Sequence, residues 1–158
     1  MINIPALGER LRARGERLVS AESCTGGLIA AACTSVAGSS DWFERGYVVY
    51  SNAAKIELLG VPAPLIAAHG AVSEEVALAM ASGAIDHSSA QWAVAVTGIA
   101  GPGGATPGKP VGLVWLAWAG PQGWKAAERC HFDGDRAAVR AQAVLRALEG
   151  LRLRLYTD

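Results

Sequence analysis

The chain has 158 residues, 51% of them hydrophobic and only 18% charged, with a formal net charge of zero. That length suits one domain, residues 1–158, with a core of its own, and the composition excludes a disordered chain. No apolar run reaches the roughly 20 residues of a membrane helix, no signal-peptide pattern is visible, and the lack of a Lys/Arg cluster argues against nucleic acid as a partner. The spacing of Ile4, Leu7 and Leu11 predicts a first helix. Residues 17–21 read as a short strand, followed by a helix from Thr25 to about Ser35 with Leu28, Ile29, Ala32, Cys33 and Val36 on one side. Residues 46–50 read as a strand, and Ser51-Asn52 caps a short helix running through Leu59. A helical turn follows around Leu65, and Ser73-Glu74-Glu75 opens the next helix with an N-cap and acids in its first turn. Residues 92–97 and 111–119 are continuous apolar runs of the kind covered on both faces of a sheet. Residues 124–132 are more polar, as expected nearer an edge, and a last helix runs from about Asp135 with Ala141, Val144, Leu145, Leu148 and Leu151 inward.

This order, α-β-α-β-α-α-β-β-β-α, predicts an α/β fold. Early strands alternate with helices, while the last two lie a tight turn apart and so pair antiparallel. The expected architecture is a three-layer α/β/α sandwich around a mixed, mostly parallel sheet of about five strands. Three cysteines, Cys24, Cys33 and Cys130, are an odd number without metal-ligand spacing, so no metal is expected and a reduced, cytoplasmic setting fits.

Candidate chemistry centres on the turn at 21–27 (AESCTGG), between a strand and a helix. A hydroxyl at Ser23 would sit beside backbone N–H groups that have no partner inside the helix, and such donors hold an oxyanion or a phosphate. The plainer reading is a turn with Thr25 as N-cap. Cys24 is a rival nucleophile. Lys55 falls in the first turns of a short helix, where the dipole disfavours a cation and lowers its pKa; its plainer reading is a solvated lysine. Ser51 lies one turn before Lys55, but its capping role accounts for it. Tyr50, at a strand end, is placed to relay a proton or orient a substrate. The loop at 98–110 follows a buried strand and is rich in glycine, letting backbone approach a ligand; it lacks the Gly-Lys-Ser/Thr of a phosphate-binding loop and the following helix of a dinucleotide fingerprint. Arg136 and Arg140 sit one turn apart at the start of the last helix, against the dipole, placed either to clamp a phosphate or to pair with Asp133 or Asp135. None of His69, His87 and His131 has a supporting motif for a Ser-His-Asp triad.

Taken in order, residues 21–27 (AESCTGG), 37–43 (AGSSDWF), 50–55 (YSNAAK), 69–74 (HGAVSE), 97–102 (TGIAGP) with 109–112 (KPVG), and 133–140 (DGDRAAVR) resemble the CinA C-terminal-domain family of nicotinamide-nucleotide amidohydrolases. The resemblance implies hydrolysis of the carboxamide of nicotinamide mononucleotide to nicotinic acid mononucleotide and ammonia, a step of pyridine nucleotide salvage, with no cofactor. It implies Ser23 as nucleophile, Lys55 as general base and Tyr50 as an assisting hydroxyl. Cys24, Thr25 and Gly26, with Thr97, Gly98, Ala100 and Gly101, are the expected oxyanion and substrate contacts, and Arg136 and Arg140 the phosphate contacts. A non-catalytic nucleotide-binding module and a serine amidase acting on another small amide are the competing readings. The alanine-rich faces and five tryptophans point to a homodimer as the expected assembly.

Overall fold

In the computed structural model, which describes residues 2–157, five strands form one sheet in the order β2-β1-β3-β4-β5. They are β1 (Leu18–Glu22), β2 (Phe43–Val48), β3 (Trp92–Gly98), β4 (Leu113–Ala119) and β5 (Lys125–His131). The neighbours β2, β1 and β3 run parallel, whereas β4 is antiparallel to β3 and to β5. Four of the five strands therefore point the same way, as the mixed, mostly parallel sheet requires.

Helices cover both faces. On β3 the side chains alternate: Trp92, Val94 and Val96 join the cluster formed with α1 (Ile4–Arg14), α2 (Leu28–Thr34) and α6 (Arg136–Thr157). Ala93 and Ala95 join the opposite cluster with α3 (Asn52–Leu59), α4 (Ala63–His69) and α5 (Glu74–Asp86). Burial of a strand on both faces explains its unbroken apolar run. Two core layers on a central sheet complete the α/β/α sandwich.

The departures from expectation have local causes. Helix α2 starts at Leu28 rather than Thr25, because Gly26 and Gly27 take φ of 57° and 105° and hold the chain in a turn for one step longer. Leu28 itself is exposed, while Ile29 and Cys33 carry the buried stripe. Strand β2 begins at Phe43, three residues before the expected start, and its pairing with β1 ends at Val48. On α6 the buried stripe passes through Ala143 and Ala147, leaving Ala141 exposed and Leu145 45% exposed. The helix lies too close to the sheet for larger side chains there: the Trp118 indole donates to the Ala147 carbonyl at 2.8 Å and packs directly on Gly150. Small residues on a helix face let the backbone approach, so the more apolar leucine is the one displaced to solvent.

The strand order also locates a crevice. After β1 the chain crosses through α2 to β2 on one side; after β2 it crosses through α3, α4 and α5 to β3 on the other side of β1. The reversal makes the carboxyl ends of β1 and β3 a topological switch point, where open α/β sheets bind ligands.

Candidate active site

Ser23 is the first residue past β1, its N–H bonded to the Val96 carbonyl of β3 at 3.0 Å, so the hydroxyl stands at that switch point. Lys55 reaches it from α3, which follows the adjacent parallel strand β2. The Ser51 hydroxyl caps α3 by accepting from Ala54 N at 3.0 Å, which fixes Lys55 in the helix's second turn. Its Nζ lies 3.1 Å from Ser23 Oγ. The Lys55 side chain is only 1% exposed.

The remaining partners of Nζ are backbone carbonyls: Val49 at 3.0 Å, Tyr50 at 3.1 Å and Ser51 at 3.5 Å. Among the described residues no carboxylate is paired with it. Burial pushes the Lys55 pKa below its ordinary 10.5, because an ammonium loses hydration there. A neutral amine has two N–H donors and one lone pair. With the donors on the Val49 and Tyr50 carbonyls, the lone pair is left for the Ser23 hydroxyl. After proton transfer the ammonium keeps both carbonyl bonds, and its third proton faces Ser23. The same cage thus accommodates the Lys55 amine in either protonation state.

Cys24 is unsuited to the nucleophile's role: burial pushes its thiol up to about 11, so it is a neutral thiol at physiological pH. No histidine meets Ser23 either. His69 lines a different depression, 3.6 Å from Glu75; the His87 ring bonds the Gly83 carbonyl at 2.8 Å, and the His131 ring bonds the Val111 carbonyl at 3.2 Å. A Ser-His-Asp triad is absent among the described residues.

Ser23 and Lys55 open into a cavity of about 240 Å³ whose walls include Cys24, Tyr50, Thr97, Gly98, Ala100 and Arg136. Tyr50 has two separate parts here. Its carbonyl holds Lys55, whereas its ring is 62% exposed and its hydroxyl lies at the rim, 3.4 Å from Arg136 Nη2. Arg136 also donates to the Gly101 carbonyl at 3.0 Å, tying the glycine loop to α6. Thr97 donates to the Ala71 carbonyl at 2.9 Å and anchors the loop before α5 as the opposite wall. Arg140 lies outside the lining of the cavity and donates to the carbonyls of Cys24 and Thr25, at 3.0 and 3.3 Å. Neither arginine forms an ion pair with Asp133 or Asp135. A second cavity of about 520 Å³ adjoins the first, sharing Ala100 and Arg136. Another, of about 430 Å³ beside Ser82 and Trp124, is at the far end of the sheet and takes no part.

Glu22, the last residue of β1, is fully buried and has a role that its local sequence does not reveal. One carboxylate oxygen accepts from the Thr25 hydroxyl at 2.6 Å and from Ile29 N at 2.8 Å; the other accepts from Ala30 N at 3.1 Å. The carboxylate therefore caps α2 in place of Thr25, and holds both ends of the Ser23 turn. An acid preceding a helix was the available signal, obscured because α2 begins six residues beyond it. Replacing Glu22 by Gln turns an amide N–H₂ against one of these donors, and by Ala leaves two buried donors and one part-buried donor unmet. Each variant is expected to lose about 2–4 kcal/mol of stability, read as a fall in the urea midpoint. An unchanged midpoint would show that the cap is dispensable.

Among the described residues no group of three or more His, Cys, Asp or Glu side chains is placed to hold a metal ion, and no helix is long and apolar enough to cross a membrane. A buried serine–lysine pair at the switch point of a mixed α/β sheet places a hydroxyl beside an amine where open α/β sheets bind ligands, an arrangement that can support nucleophilic catalysis. The chain belongs to the CinA C-terminal domain family, whose model matches residues 4–155. It is 57% identical over 152 residues to the nicotinamide-nucleotide amidohydrolase PncC of Pseudomonas putida, covering 96% of this chain and 94% of that protein. It is 51% identical over 145 residues to the PncC of Escherichia coli K12, covering 92% and 88%. A CinA-like protein of Anaeromyxobacter dehalogenans is 58% identical over 146 residues, which make up 92% of this chain and 36% of that protein. Among solved structures, the competence damage-inducible protein A of Klebsiella pneumoniae superposes with a TM-score of 0.93 at 41% identity, over 97% of this chain and 94% of that one.

Proposed function

We propose that this protein is a nicotinamide-nucleotide amidohydrolase that converts nicotinamide mononucleotide to nicotinic acid mononucleotide and ammonia, with Ser23 as nucleophile and Lys55 as general base. The observation that carries the reading is the 3.1 Å approach of Lys55 Nζ to Ser23 Oγ inside a buried cage of carbonyls. The two relatives known as nicotinamide-nucleotide amidohydrolase PncC supply the substrate class.

In the first half-reaction the Lys55 amine takes the Ser23 proton as Oγ bonds to the amide carbon. The tetrahedral intermediate collapses, the C–N bond breaks, and the Lys55 ammonium returns its proton to the leaving nitrogen, which departs as ammonia. Water then attacks the ester carbonyl, Lys55 takes one of its protons, and that proton returns to Oγ as the C–Oγ bond breaks. Lys55 is restored, and the product acid releases its remaining proton to solvent and leaves as a carboxylate.

Oxyanion donors are needed in both halves. The N–H groups of Gly26 and Ile99 are bonded to the Ser23 and Leu113 carbonyls. Those of Cys24, Thr25, Ala100 and Gly101 donate to no other described residue although all four residues are buried, which recommends them as donors to the substrate. The small first cavity suits the pyridine carboxamide, and the ribose phosphate extends past Arg136 into the adjoining one. There Arg136 and the Tyr50 hydroxyl, which already touch at the rim, contact the nucleotide.

The test is ammonia release from nicotinamide mononucleotide, from its phosphate-free nucleoside and from simple amides. The nucleotide is expected to be hydrolysed with the highest kcat/KM. Turnover of simple amides alone would overturn the nucleotide assignment, and no turnover of any would favour a binding module.

A further inference from the structure

We propose that Arg140 is a positioning residue for the oxyanion-binding turn, rather than a ligand of the substrate's phosphate. The proposal rests on the amidase reading above. Arg140 sits in the second turn of α6, where a cation opposes the helix dipole. Something must offset that placement, and three successive carbonyls show what does. The Ser23 carbonyl accepts from Gly26 N at 3.1 Å, the Cys24 carbonyl from Arg140 Nε at 3.0 Å, and the Thr25 carbonyl from Arg140 Nη2 at 3.3 Å and Leu28 N at 3.0 Å.

The consequence follows from peptide geometry. These peptide bonds are trans, so each N–H points opposite to the C=O of the same plane. Fixing the Cys24 carbonyl on the guanidinium turns the Thr25 N–H away from it. Fixing the Ser23 carbonyl on Gly26 likewise turns the Cys24 N–H outward from that bond. Within this turn the N–H groups of Cys24 and Thr25, next to the nucleophile, are the ones with no backbone partner among the described residues. Two consecutive free N–H groups form an anion-binding concavity. The guanidinium also lies against Gly26, where an added Cβ would stand 3.4 Å from Nη2, so it braces the turn by packing as well as by hydrogen bonds. Without Arg140 the Cys24–Thr25 peptide has no partner to hold its orientation, and a rotated plane would present a carbonyl oxygen where an anion develops.

The two roles differ in kinetics. A phosphate ligand acts on binding, so its loss raises KM for the nucleotide and leaves the phosphate-free nucleoside unaffected. A residue that orients an oxyanion donor acts in the transition state. For Arg140→Ala, kcat is expected to fall about 100-fold on both nicotinamide mononucleotide and its nucleoside, with KM for the nucleotide changed less than about threefold. Methylguanidinium at millimolar concentration is expected to restore part of kcat in Arg140→Ala and to do nothing for wild type. Arg140→Lys keeps a cation and one donor and is expected to fall between; it supplies the same comparison if the alanine variant does not fold. A rise in KM confined to the nucleotide, or an unchanged kcat in a folded variant, overturns the proposal. A wild type inactive toward both substrates would instead remove the amidase reading, an outcome distinct from an active wild type with indifferent Arg140 variants.

Discussion

Ser23→Ala is expected to lose about 10⁴-fold or more of the amidase kcat while melting within a few degrees of wild type. Removing the nucleophile of a unit that works together removes most of what the unit does. The fold does not depend on the hydroxyl: Oγ caps no helix, and its contacts are Lys55 Nζ and a 3.4 Å approach to the Tyr50 carbonyl. Cys24→Ala is the necessary partner. Its thiol is buried and pushed up to about 11, so it is not ionised, and Lys55 Nζ bonds the Ser23 hydroxyl rather than the thiol, so removing the thiol is expected to cost less than about tenfold. The nucleophile assignment falls if the alanine at 23 stays active and the alanine at 24 does not. Quenched-flow detection of an ammonia burst in wild type, absent in Ser23→Ala, reads the same step directly, because an acyl-enzyme releases ammonia before water completes the turnover.

Much of this site was open to reading from local pattern, and the part that was not has a common cause. The serine turn follows a strand and Lys55 falls early in a capped helix, and both features show in a single window of sequence. Their contact does not. It joins positions 32 apart and depends on β1 and β2 lying parallel and adjacent, so that both carboxyl ends reach one rim. Arg140 is further out of reach: its partner Cys24 is 116 residues away, and nothing local separates a guanidinium that binds phosphate from one that binds carbonyls. Glu22 went unread because two left-handed glycines delay α2, so the carboxylate that caps it lies outside the usual capping interval. The misplaced α6 stripe has the same character. Hydrophobicity favours Leu145 inward, but where Trp118 packs on Gly150 and bonds the Ala147 carbonyl the stripe passes through Ala143 and Ala147 instead, between the buried Val144, Leu148 and Leu151. Periodicity thus located the elements, and the long-range geometry decided which side chains meet.

Lys55→Met is the second large effect, and it tests protonation as well as catalysis. Methionine fills the buried channel with a similar stem, but its thioether is far too weak a base to take the Ser23 proton, so kcat is expected to fall about 10⁴-fold or more. Lys55→Arg is expected to be as inactive, since a guanidinium stays charged; substantial activity in the arginine variant would show that Lys55 acts by charge and not as a base. The wild-type pH profile carries the sign. The active form is the neutral amine, so kcat/KM is expected to rise with pH through the depressed Lys55 pKa and to level off above it, below the ordinary value of 10.5. Stability moves in the same direction. Between the depressed folded value and 10.5 the unfolded chain binds a proton at Lys55 that the folded protein does not, so wild-type stability gains on the methionine variant as pH rises through that window. Below the folded value both states are protonated, and wild type carries the full cost of burying the ammonium. Denaturation of both proteins from pH 6 to 10 measures the difference; a gap independent of pH would mean that Lys55 keeps its ordinary affinity for protons inside the cage, and the general-base mechanism would lose its footing.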